Sequence, residues 1–116
     1  MRRKLPSAAR GIAFAAMPHA LVRRPGPRLA DGLLTHQARV PVDVELAERQ
    51  WQRYVEALRS AGWDVTEVDP ADDCADAVFV EDALVLFGDL AVVALPGAPS
   101  RRPETEAAER AAAQLG

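Results

Sequence analysis

Asp76, Glu81 and Asp82 fall within seven residues of one another, and the last two interrupt the apolar run Val78-Phe-Val-Glu-Asp-Ala-Leu-Val-Leu-Phe87. Charged side chains are rarely buried, and an unpaired one costs several kcal/mol. Two adjacent carboxylates there mark either a tight turn between buried strands or the lining of a cation site. Arg101 and Arg102 follow on a proline-rich stretch. Carboxylates at one end of a pocket and an arginine at the other suit a ligand with a guanidinium head and an amino-acid tail. Both contacts are charge-assisted, and arginine meets a carboxylate in forked geometry. The same oxygens could hold magnesium or calcium, or pair with the chain's own arginines.

The elements that must position these residues follow from pattern. His19–Arg23 reads as a strand closed by Arg24-Pro-Gly-Pro27, and residues 28–42 lack a period and read as a long loop. Asp43 is a candidate N-cap for a helix over 43–61. Its apolar stripe is Val44, Ala47, Trp51, Tyr54, Val55 and Leu58, with Trp51 and Tyr54 as core anchors, and Gly62 suits a left-handed stop. Trp63–Val68 alternates as a half-buried strand, and 71–76 is an acidic turn. Val78–Val80 and Ala83–Phe87 are apolar strand pieces, Gly88-Asp89 a hairpin turn, and Leu90–Leu95 a further strand. Pro103 opens a short helix over 104–113, whose early acids Glu104 and Glu106 suit its dipole. The order strand, loop, helix, strand, strand, strand, helix predicts an α/β fold, and no further strand follows the last helix.

Composition excludes several classes. The chain has 116 residues, 49% apolar and 27% charged, with net charge −3. That is one small globular domain without the basic field that nucleic acid requires. No apolar run reaches the ~18 residues of a membrane span. The opening MRRKLPSAARGIAFAAM carries only a short apolar patch, so residues 1–17 read as a disordered extension rather than an export signal, with 18–116 as the folded part. Cys74 is the single cysteine, which excludes an intrachain disulfide and favours a cytoplasmic, reducing setting. An acidic neighbourhood raises a thiol pKa, the wrong direction for a nucleophile. His19 and His36 have no partner at metal spacing, and Arg23 and Arg24 read as a plain strand end.

The stretches VDVELAERQWQRYVEALRSAGWDVTEV, DCADAVFVEDALVL and LPGAPSRRPE resemble the dimethylarginine dimethylaminohydrolases, within the guanidino-group-modifying enzymes. The resemblance runs from about His19 to the end, and departs at Leu95, where the family often carries arginine. It implies a partial pentein (β/α-propeller) fold, about two of five modules, with no metal and no cofactor. It implies hydrolysis of methylated arginine to citrulline through a cysteine thiouronium adduct, with a histidine moving the protons. Carried over by position, Leu34 is a lid contact, Asp76, Glu81 and Asp82 surround the guanidinium, and Arg101 holds the amino-acid end. The catalytic histidine and cysteine, and a second binding arginine, are expected downstream of the matched region, so the isolated chain is expected to be inactive. The other readings are an arginine deiminase or amidinotransferase relative, and a non-catalytic assembly module completed by another copy or another chain through exposed sheet edges.

Overall fold

The computed structural model describes residues 2–4 and 17–115. Seven elements follow in order: β1 (Arg2–Lys4), β2 (His19–Val22), α1 (Val44–Ser60), β3 (Asp64–Glu67), β4 (Leu84–Phe87), β5 (Leu90–Val93) and α2 (Glu104–Ala113). β2 and β3 pair in parallel, His19 opposite Asp64 through Val22 opposite Glu67, with α1 as the crossover. The second sheet has the order β1-β5-β4 and is antiparallel, with β4 and β5 joined at Gly88-Asp89, where Gly88 takes φ +58°.

Helix α1 begins and ends where the sequence predicts, for local reasons. Asp43 Oδ1 accepts from the Leu46 amide at 2.9 Å, satisfying a donor that no helical carbonyl reaches. At the far end Gly62 takes φ +88°, its amide donates to Arg59 O, and the Trp63 amide donates to Leu58 O. These two crossed bonds cap the last carbonyls, and the positive φ explains a glycine there. Val55 is buried and Ala47, Trp51 and Leu58 are half-buried along one stripe. Tyr54 departs from the expectation of a core anchor and is 57% exposed. It lies one residue, about 100° of helical rotation, from Val55 at the stripe's centre.

The core is small-residue packing between α2 and the hairpin. Val68, Val80, Ala83, Leu84, Ala91, Val93, Ala108 and Ala112 form one buried cluster. Ala108 and Ala112 are one turn apart and let α2 approach the sheet closely. Three sequence expectations shift here. Val78–Val80 is not a strand, because Val80–Asp82 forms a single 3-10 turn closed by the Ala83 amide on Val80 O. That turn carries Glu81 and Asp82 to the surface, so the acid pair never enters the apolar interior. β5 stops at Val93, leaving Leu95 exposed. Arg2–Lys4, read as extension, pair with β5; residues 5–16 of that extension lie outside the described residues.

Arg23 is the largest departure. Far from a plain strand end, it is fully buried at 0% exposure. Its Nε donates to Asp69 O at 2.9 Å, Nη1 to Ala77 O at 3.4 Å and Nη2 to Glu104 O at 3.0 Å. One guanidinium thus joins the chain after β3, the acidic turn and the first residue of α2. Burial pulls its pKa below the usual arginine value, opposed by the Glu104 carboxylate, yet an arginine stays protonated. Arg24 faces outward, 5.0 Å from the centre of the Trp51 ring and paired with Glu48 and Glu67 across α1 and β3. Exposed pairs of this kind contribute little.

Arg23→Met removes all three donors and takes them from the buried carbonyls of Ala77 and Glu104 and the part-buried carbonyl of Asp69. Denaturant unfolding of the chain is expected to lose about 3 kcal/mol or more. Arg23→Lys restores only part of it, because one ammonium cannot span the three carbonyls.

Candidate functional site

Asp76 ends the acidic turn, whose amides close on themselves through Cys74 N to Ala71 O at 2.9 Å and Ala77 N to Cys74 O at 3.2 Å. Its Oδ2 accepts from the Leu33 amide at 3.0 Å. The approach is so close that a Cβ on Gly32 would stand 2.6 Å from Asp76 Oδ1 and would have to push that carboxylate aside. Two arginines fix the same loop from other sides. Arg39 donates to Ala30 O and, at 2.7 Å, to Gly32 O, while Arg28 reaches Asp73 O at 3.1 Å. Long loop 28–42 is therefore pinned at three points despite having only one 3-10 turn, Leu29–Asp31. Beside it lies an open cavity of about 330 Å³, with Leu33, Leu34, Gln37, Val40, Asp76 and Phe79 in its wall. That size suits a small molecule.

Arg101 belongs to a second cluster that meets the first at Asp76. Its Nε and Nη2 donate to the two oxygens of Glu104 at 3.0 and 2.9 Å, Nη1 donates to Asp82 Oδ2 at 2.8 Å, and Nη2 also reaches Asp76 O at 3.2 Å. Glu104 is 1% exposed and Arg101 17%. The Glu104 hydrogen bonds are the main reason that Arg101 holds its proton above the ordinary arginine range. Glu81 lines a neighbouring groove of about 230 Å³ with Leu21, Trp51, Tyr54 and Phe79. Phe79 borders both cavities.

Of the five residues singled out from sequence, Leu34 and Asp76 share a cavity, and Asp76, Asp82 and Arg101 are joined by hydrogen bonds. Glu81 stands apart in the adjoining groove. The pairing of Asp82 with Arg101 follows the alternative in which the acids meet the chain's own arginines. Sequence reasoning missed Glu104, read only as a helix-dipole acid; the i,i+3 spacing Arg101-x-x-Glu104 at a helix start was the available signal. Among the described residues no group of three or more His, Cys, Asp or Glu side chains could hold a metal ion, and no helix is long and apolar enough to cross a membrane.

Cys74 is buried, with Sγ 3.5 Å from Ser100 O. Burial first and the Glu104 carboxylate second push its thiol pKa up, against the pull of Arg23 and Arg101. His19 Nε2 lies 3.2 Å from Asp64 Oδ2, its register partner across the parallel pair, and His36 is exposed on the loop.

Known proteins share this fold. No family model matches the chain. It is 61% identical over 97 residues to the dimethylarginine dimethylaminohydrolase of Streptomyces coelicolor, covering 84% of this chain and 38% of that protein. It is 37% identical over 91 residues to the Pseudomonas aeruginosa enzyme of the same name, covering 78% and 35%. The chain belongs to the dimethylarginine dimethylaminohydrolase family. Two solved dimethylarginine dimethylaminohydrolase structures superpose with TM-scores of 0.77 at 34% identity. One is an adduct with S-methyl-L-thiocitrulline, covering 86% of this chain and 39% of that one. The other is a Pseudomonas aeruginosa variant complexed with citrulline, covering 85% and 38%. The fold is thus part of the pentein fold, and the chain spans little more than a third of the length of these dimethylarginine dimethylaminohydrolases.

Two outcomes follow from this geometry. Gly32→Ala drives the Asp76 carboxylate off the Leu33 amide, and hydrogen exchange at Leu33 is expected to quicken about 10-fold or more. Alkylation of Cys74 by iodoacetamide is expected to be slow at neutral pH. Its pH profile is displaced to the alkaline side of the same protein in denaturant, because the buried thiol ionises later.

Proposed function

We propose that this chain forms part of the substrate-recognition half of a hydrolase that converts dimethylarginine and monomethylarginine to citrulline and the methylated amine. In this reading a cysteine thiolate attacks the guanidinium carbon, the amine leaves with a proton supplied by a histidine, and water resolves the thiouronium adduct. Both catalytic groups lie outside these 116 residues, and Cys74 is not the nucleophile. Asp76, Glu81 and Asp82 surround the substrate's guanidinium, Leu34 covers the substrate, and Arg101 holds its amino-acid end. The setting is cytoplasmic.

The observation that carries this reading is the double role of Asp76. Its side chain pins the Leu33–Leu34 loop and its carbonyl accepts from Arg101, so lid, acid and arginine are joined at one residue, in a chain 61% identical to a protein named for this chemistry. A second reading, a non-catalytic binding or assembly module completed by another copy or another chain, draws on the outward face of the hairpin. Val85, Phe87 and Val92 are all exposed there, with Val85 and Val92 directly opposed. Apolar side chains grouped on one sheet face mark a surface that another element covers.

The test is a hybrid in which residues 18–116 replace the matching segment of the Streptomyces coelicolor protein. Release of citrulline from dimethylarginine, with arginine turned over at least about 10-fold less well, is the expected outcome. Asp76→Asn in the hybrid is expected to lower kcat/KM about 10- to 100-fold, the worth of a charge-assisted hydrogen bond. The 116-residue chain alone is expected to release none. No citrulline from the hybrid would sink the proposal, as would arginine outpacing its methylated forms.

A further inference from the structure

We infer that Glu104 is a positioning residue that fixes which edge of Arg101 can meet the substrate, an inference that rests on the function proposed above. A guanidinium has five N–H donors. Here Nε spends its one on Glu104 Oε2, and Nη2 spends both on Glu104 Oε1 and Asp76 O. Nη1 gives one to Asp82 Oδ2, which leaves a single N–H, also on Nη1. The edge formed by Nε and Nη2 is therefore closed by a buried carboxylate. Whatever Arg101 offers a ligand comes from Nη1.

Glu104 suits this task for reasons of burial and anchoring. At 1% exposure it exchanges its partner with nothing from solvent, whereas Asp82 is half exposed and free to trade. Its backbone is held as well, because its carbonyl accepts from the fully buried Arg23. Pro103 immediately before it presets the φ of the helix start. Arg101 thus turns on a pivot tied into the core, and Asp82 occupies the Nη1 side until a ligand carboxylate displaces it. A forked grip on that carboxylate by both terminal nitrogens is excluded by this donor count; the contact is made by Nη1 alone.

The experiment uses the hybrid enzyme with Glu104→Gln and, separately, Glu104→Asp, each checked by Tm. Glutamine still fills the space but loses the charge and one acceptor, so Arg101 is free to swing. The expected result is a KM for dimethylarginine raised about 10-fold or more with kcat within about 3-fold. Glu104→Asp, which keeps the charge on a shorter stem, is expected to recover part of that KM. A merely structural role lowers the active fraction, so kcat falls and KM stays. That pattern, or unchanged values for both constants, overturns the inference while citrulline release by the unsubstituted hybrid leaves the proposed function standing. If Glu104→Gln does not fold, the KM of Glu104→Asp decides by the same split. No citrulline from the unsubstituted hybrid overturns both.

Discussion

The three carbonyls of Asp69, Ala77 and Glu104 come from segments that share no sheet and no helix, and the guanidinium of Arg23 is what brings them to one point. Those of Ala77 and Glu104 are strong acceptors that the interior must satisfy, that of Asp69 lies at its edge, and a planar cation with donors fanned over three directions meets all three at once. Everything near the cavity inherits its position from this junction. The acidic turn is held at Ala77, one residue from Asp76. The start of α2 is held at Glu104, whose side chain in turn orients Arg101. Remove the cation, and the two halves of the candidate site lose their common reference.

Around that junction the charges are arranged as a graded series. Arg23 is sealed, Glu104 is sealed and paired, Arg101 is partly open, and Asp82 faces water. The Coulomb attraction between Arg101 and Glu104 acts in a poorly hydrated setting, while Asp82 competes with solvent. A pair of acids placed in an apolar run is therefore less of a burden than the sequence suggests. The 3-10 turn moves them outward, and the buried carboxylate is one that the pattern did not mark.

Much of the fold was legible because it is written locally. The Asp43 cap, the α1 stripe, the Gly62 stop and the Gly88-Asp89 turn each depend on a few neighbouring residues, and each stands where the pattern put it. Asp76 and Arg101 stand out by charge and spacing, but Leu34 enters only through resemblance, since nothing in the spacing says that a loop 43 residues away from Asp76 will donate its Leu33 amide to it. Arg23 reads in the sequence as a plain strand end and Glu104 as a helix-dipole acid. Arg23 finds its partners 46 to 81 residues away, which no periodicity encodes. Val78–Val80 reads as a strand piece because it is apolar, and only the acid pair after it marks the tight turn that begins at Val80.

The separation of Arg23 from its acceptors also orders the way this chain can come together. The β4–β5 hairpin closes over two residues and needs little loop entropy, and α1 is capped by its own neighbours. The Arg23 contacts to Asp69 and Ala77 require closure over 46 and 54 residues, and the last, to Glu104, over 81. On a ribosome making protein from the N-terminus, Arg23 emerges early and then waits, hydrated, until the start of α2 exists. Its desolvation is thus the closing event for these elements, and the helix that positions Arg101 is also the piece that seals the cation in.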